Sequence, residues 1–109
     1  MMRFGQRLGV LPERLAEYVR YHVRIWPEIE AAIASAGIRN YSIYHLAGEL
    51  FSYYEYIGPP TEYAARMATL ADAPRMREWW DIMMAMQVPH PLRQQGQWWA
   101  QMDEVFHQD

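Results

Sequence analysis

A stripe at helical spacing runs through the first third of the chain: Leu15, Tyr18, His22, Ile25 and Ile29 follow one another at steps of three and four, and Ile33 and Ala36 continue it. Pro27 interrupts the stripe. Its missing N–H and its restriction on Trp26 predict a kink or short break between Arg24 and Glu28. Before it, Arg3–Val10 reads as a strand and Leu11-Pro12-Glu13 as a helix start. After it, Gly37 suits a C-terminal cap, and Ile38–Leu46 is a strand rich in β-branched and aromatic residues. Ala47-Gly48-Glu49 is a turn, so Leu50–Ile57 is expected to pair back as a hairpin. Both faces of that strand are apolar or aromatic, with Phe51, Tyr53 and Ile57 on one and Leu50, Tyr54 and Tyr56 on the other. One face is for helices; a second subunit's sheet is the economical cover for the other.

Gly58-Pro59-Pro60 ends the strand. Thr61 is then the expected cap of a helix to about Leu70, and Asp72 or Ala73 with Pro74 opens another to about Gln87. Pro89–Gly96 reads as an irregular loop and Gln97–His107 as a final strand. The order β-α-β-β-α-(α)-β is the α+β ferredoxin-like split βαβ arrangement, an antiparallel sheet with helices on one face. The 109 residues leave room for one such domain over 1–109.

Composition removes several chemistries. All ten basic residues are Arg, which excludes lysine Schiff bases and the Walker A lysine. There is no Cys, which excludes thiol nucleophiles, disulfides and Cys-ligated metals and fits a reducing, cytoplasmic setting. A net charge of -3 argues against nucleic acid or an anionic membrane as partner. The stretch Met1–Val10 lacks the apolar run of a secretory signal, and no transmembrane segment is apparent. Five Trp, eight Tyr and three Phe exceed the needs of so small a core, so some rings should face a partner or a ligand carrying both C–H faces and hydroxyls.

His22 lies one turn after Tyr18 in the apolar stripe, so both side chains enter the same space beneath the sheet. A lone histidine there is commonly a hydrogen-bonded core residue; the functional reading is a proton-transfer group. His45, His90 and His107 share no metal-ligand spacing with it. Trp79 and Trp80 point about 100° apart on a helix, so at least one should line an edge or cleft, either packing at an interface or stacking on a sugar ring. Trp98 and Trp99, if on a strand, face opposite sides, which suits one of them to an interface. Tyr41 shares the parity of Ile43 and approaches His22 if that parity is the inner one. Glu55 shares the parity of Tyr53 and Ile57 and needs a partner, an Arg being the ordinary one.

His22 with Ile25-Trp26-Pro27-Glu28, then Asn40-Tyr41-Ser42-Ile43-Tyr44, Trp79-Trp80 and Glu104-Val105-Phe106 resemble the L-rhamnose mutarotase family across nearly the whole chain. The resemblance implies a homodimeric ferredoxin-like fold, a dimeric α/β barrel, acting on a small sugar with no cofactor and no metal. It implies His22 as proton donor and Tyr18, Tyr41, Trp79 and Trp80 as sugar contacts. The turn at Leu46–Glu49 is shorter than the family pattern, and Gln87–Trp99 departs from it, which bears on which sugar is taken. The residues alone also admit a cofactor-independent or haem-handling monooxygenase of the same fold type, or a sugar-binding module in which no proton moves. Tyrosinate, Glu55 and a bound water remain open as the base.

Overall fold

The computed structural model describes residues 1–109. Strands β1 (Met2–Val10) and β3 (Glu49–Tyr56) form the centre of the sheet, paired antiparallel from Met2 opposite Tyr56 to Gly9 opposite Glu49. Directly opposed residues share a face. Phe4 with Tyr54, Gln6 with Ser52 and Leu8 with Leu50 therefore make an inner face, while Arg3 with Glu55, Gly5 with Tyr53 and Arg7 with Phe51 make the outer one. Leu8, Leu50 and Ser52 are sealed beneath the helices. Strand β2 (Ile38–Leu46) flanks β3 and the short β4 (Gln87–Val88) flanks β1, giving the order β2-β3-β1-β4, the ferredoxin-like arrangement expected from the pattern.

The helical stripe is two helices rather than one. Trp26, ahead of Pro27, is held extended at φ -60, ψ 132, which ends α1 (Leu15–Val23) and starts α2 (Pro27–Ser35). Proline opens the other helical segments as well: Pro12 and Pro60 begin 3₁₀ turns leading into α1 and α3 (Tyr63–Asp72), and Pro74 begins α4 (Pro74–Met86). None of these starts has a side-chain cap. Thr61, expected as a cap, lies inside the 3₁₀ turn, because Pro59 and Pro60 already impose the entry geometry. Ile29, Met76, Trp79, Met83 and Met86 pack these helices on the inner face. Arg75 ties α4 to α2, pairing with Glu28 at 2.8 Å while its guanidinium lies 3.7 Å from the centre of the Trp26 ring. No helix is long and apolar enough to cross a membrane.

The last strand differs from expectation. Gln87–Val88 (β4) pairs with Val10 and Gly9, and Ala100–Met102 (β5) pairs with Arg7, Gln6 and Gly5, so two short pieces share one edge of β1. Residues 89–99 leave the edge where Leu8 would be paired. Pro89 and Pro91 cannot donate to a ladder, which is why the strand breaks there. The strand expected over Gln97–His107 is reduced to β5, and beyond Met102 contact with β1 passes to side chains, Arg3 pairing with Glu104 at 3.0 Å.

Ala47 (φ 49) and Gly48 (φ 81) make the two-residue turn between β2 and β3, with Leu46 opposite Glu49. Both residues are left-handed, the pattern of a type I′ hairpin, in which Asn fits the first position better than Ala. Replacing Ala47 by Asn should stabilise the protein by up to about 1 kcal/mol, read as a higher urea midpoint with unchanged slope. Gly37 holds φ 88, and a Cβ there would meet the Tyr56 ring at 3.2 Å. Gly37→Ala should cost about 1–2 kcal/mol in the same measurement.

Candidate functional site

Four helices over one sheet face leave a cavity of about 970 Å³ between the layers, in the upper range of ordinary small-molecule sites. Tyr18, His22, Tyr41, Trp79 and Trp80 all line it. The sequence offered these five from separate segments, and the fold brings them to one space.

His22 is held by its own helix. Its Nδ1 lies 2.7 Å from the Tyr18 carbonyl one turn earlier. A carbonyl only accepts, so Nδ1 carries the hydrogen, and the neutral ring keeps its lone pair on Nε2, which has no partner within the protein. Partial burial disfavours the imidazolium and lowers the His22 pKa below its ordinary value, with the Nδ1–H bond opposing this in part. The edge of Trp79 meets the ring at 5.6 Å, and Tyr18 tilts over it at 4.5 Å.

The tryptophan pair divides as its helical angle requires. Trp79 is buried, packed edge-to-face on Trp26 at 5.1 Å and on Tyr21 at 5.8 Å, so it is a core residue whose rim reaches the cavity. Trp80, 38 % exposed, stands at the mouth.

Tyr41 owes its direction to an irregularity in β2. Arg39 pairs with Glu55 and Ser42 with Tyr53, so two residues, Asn40 and Tyr41, stand where β3 has only Tyr54. Asn40 takes φ 52 and absorbs the extra residue. Without this bulge, alternation from inward-facing Ile38 would turn Tyr41 outward; with it, Tyr41 and Ile43 both face the helices. The Tyr41 ring then stacks on Tyr54 at 5.5 Å.

The same bulge settles Glu55. Its carboxylate accepts from Asn40 Nδ2 and from the Tyr53 hydroxyl, each at 2.7 Å, and these bonds hold its pKa below the usual carboxylate range. The expected arginine partner is therefore replaced by Asn40 and Tyr53, and Arg3, opposite in register, pairs with Glu104 instead. Glu55 lies on the outer face, away from the cavity, which removes it as a base there. Burial raises the phenol pKa values of Tyr18 and Tyr54, which holds both in the neutral form and disfavours a tyrosinate at these two positions.

The cavity also holds residues that the sequence pattern does not assign to a site. Trp98 and Trp99 sit on no strand; they close the excursion 89–99 and both line the cavity, so neither is set aside for an interface by strand alternation. Gln6, Gln87, Gln97 and Gln101 add a polar wall. Gln101 Nε2 donates to Gln6 Oε1 at 2.6 Å, and Gln97 Oε1 is buried without a partner. Parity in β1 could have flagged Gln6, a polar residue alternating with Leu8 and Val10; nothing local marks Gln87 or Gln97.

The fold and this aromatic cavity, lined also by glutamines and by the imidazoles of His22 and His45, define a small α+β protein of the ferredoxin-like type with a pocket between its sheet and its helices. The comparisons with known proteins narrow the class. The family model for L-rhamnose mutarotase matches residues 3–108. An L-rhamnose mutarotase of Lactiplantibacillus plantarum is 30% identical over 100% of both chains, and one of Tolumonas auensis is 33% identical over 84% of this chain and 85% of its own. A UPF0734 protein of Dictyostelium discoideum is 32% identical over 97% of this chain and 89% of its own. The crystal structure of an L-rhamnose mutarotase from Formosa agariphila superposes with a TM-score of 0.77 over 100% of both chains at 21% identity, a likeness of fold. The chain belongs to the L-rhamnose mutarotase family, an isomerase family.

The burial difference between the two tryptophans has a direct consequence. Trp79→Ala should cost about 3–5 kcal/mol of stability, whereas Trp80→Ala should cost under about 1 kcal/mol. Urea denaturation of the two variants checks the contrast.

Proposed function

We propose that the protein interconverts the α and β anomers of L-rhamnose or a related 6-deoxy sugar by acid–base ring opening and closure, with His22 as the proton donor. The observation that carries this reading is the imidazole in the cavity wall with Nδ1 anchored and Nε2 unpartnered. In the imidazolium form Nε2–H gives its proton to the ring oxygen as the bond from that oxygen to C1 breaks. The neutral Nε2 so formed is free to take the proton of the C1 hydroxyl, leaving the open aldehyde. Rotation about C1–C2 presents the other carbonyl face, and the reverse transfers close the ring. One residue can serve as acid and then as base, so the proton balance needs neither Glu55 nor a tyrosinate.

The demand on the site is modest. Free sugars mutarotate unaided, and a positioned acid contributes about 10²- to 10⁴-fold. Tyr18, Tyr41, Trp79 and Trp80 are the proposed sugar contacts, the rings packing on C–H faces and the phenols meeting hydroxyls. Gln97 Oε1, the unpaired buried acceptor beside the cavity, fits a polyhydroxylated ligand better than an aromatic one. Family membership likewise favours the isomerase over the oxygenase reading.

The reading includes a homodimer. No helix of the chain covers the outer sheet face, where Tyr44 is 63% and Phe51 38% exposed, and Val105 and Phe106 near the end of the chain are exposed too. Sedimentation equilibrium should give twice the chain mass of 13.0 kDa; a monomer at micromolar concentration refutes the dimer alone.

Saturation-transfer NMR between the anomeric protons of L-rhamnose tests the activity. His22→Asn should lower the catalysed exchange by about 100-fold or more while sugar affinity stays within about threefold of the wild type; undiminished exchange would remove His22 from the mechanism. Because the donor is the imidazolium and burial lowers its pKa below 6.5, kcat/KM should fall as pH rises through that lowered value. A rise over the same interval, after subtraction of the uncatalysed rate, would mean that the neutral ring acts first.

A further inference from the structure

Three cavity residues from distant parts of the chain form a hydrogen-bonded series whose direction can be read. Trp98 Nε1 lies 3.0 Å from Gln87 Oε1, and Gln87 Nε2 lies 3.1 Å from the Tyr18 hydroxyl oxygen. An indole nitrogen can only donate. The atom of Gln87 facing Trp98 must therefore be the carbonyl oxygen, which removes the usual freedom of an amide to be turned over. With the oxygen committed, the NH₂ group faces Tyr18 and donates to its hydroxyl oxygen. A hydroxyl that accepts along this line points its own hydrogen elsewhere, and no protein acceptor receives that hydrogen from Tyr18. What lies beside it is the cavity.

We propose that Trp98 and Gln87 are positioning residues that orient the Tyr18 hydroxyl as a hydrogen-bond donor to an oxygen of the bound sugar. The inference rests on the reading of the cavity as a sugar site and adds to it the polarity of one contact. Gln87 is 8% exposed and Tyr18 4%, so water competes little for either group and the direction is retained. Burial also keeps the phenol protonated, as a donor requires. The control begins in the excursion that splits the edge strand, because Trp98 belongs to residues 89–99 while Gln87 begins β4. The segment is thus more than a rim: it reaches the first turns of α1 through two hydrogen bonds.

The test is a double-mutant cycle read by sugar affinity. Trp98→Phe keeps a ring but removes the N–H, so the Gln87 amide is free to turn and let Tyr18 donate to it. L-Rhamnose binding, followed by NMR titration, should weaken about 3- to 10-fold, the worth of one neutral hydrogen bond. Tyr18→Phe should weaken it similarly, and adding Trp98→Phe to Tyr18→Phe should cause no further loss. A merely structural Trp98 would show its loss in both backgrounds. Gln87→Glu is the second variant: an ionised carboxylate only accepts, draws the Tyr18 hydrogen away from the cavity and should weaken binding at least as much as Trp98→Phe. Circular dichroism confirms that each variant is folded. Wild-type affinity in folded Trp98→Phe or folded Gln87→Glu, or an undiminished Trp98→Phe loss in the Tyr18→Phe background, overturns the proposal. A wild type that binds the sugar without accelerating anomer exchange would overturn the proposed activity instead, while the affinity cycle still decides the orientation of Tyr18.

Discussion

The register between β1 and β3 is the constraint on which the rest of the molecule depends. It places Phe4 beside Tyr54, Gln6 beside Ser52 and Leu8 beside Leu50 on one face. A slip of β1 by one residue would turn Phe4, Gln6 and Leu8 outward together. Tyr54 in turn supports Tyr41, and Gln6 binds both Ser52 and Gln101, so rings at one end of the inner face and amides nearer the middle are set by the same pairing. The two-residue Ala47-Gly48 turn and the hydrogen bond from the Val10 N–H to the Gly48 carbonyl at 2.9 Å hold that register at its closed end.

Irregularities in otherwise regular strands supply the polar and aromatic reach of the cavity. The bulge at Asn40 turns Tyr41 inward and, from the other side of the strand, satisfies Glu55. The break between β4 and β5 carries Gln97, Trp98 and Trp99 over the cavity. Strand distortions of this sort re-aim side chains where regular alternation would not. The helices contribute by their ends: Pro27 terminates α1 shortly after His22, so the imidazole stands in the last turn of a short helix, its Nδ1 bound to the Tyr18 carbonyl.

Much of this was legible in the chain. Period and proline placement located both long helical stretches, and Ile38–Leu46 was predicted to its observed limits. The stripe through Tyr18 and His22 and the angle between Trp79 and Trp80 followed from helical geometry, and the structure places all four residues on one cavity. Where the fold departs from the local pattern, the cause is physical. Residue type alone makes Thr61 a cap, but the adjacent Pro59 and Pro60 fix the backbone first. Residue preference alone gives Glu55 an Arg partner, whereas the bulge supplies a closer amide and the Arg opposite is drawn to Glu104. The single last strand was inferred from residue preference across a segment whose ladder two prolines interrupt.

The sequence by itself determined the elements, their order and the residues able to move a proton or stack on a ring, because periodicity, proline stereochemistry and ionisable chemistry act over a few neighbouring residues. Only the tertiary structure decided that Gln87 would meet Tyr18 and Trp98, that His22 would keep Nε2 unpartnered, and that Glu55 would face away from the cavity. Those outcomes depend on contacts between segments far apart in the chain and on a one-residue bulge that reverses strand parity. Neither is encoded in any local window.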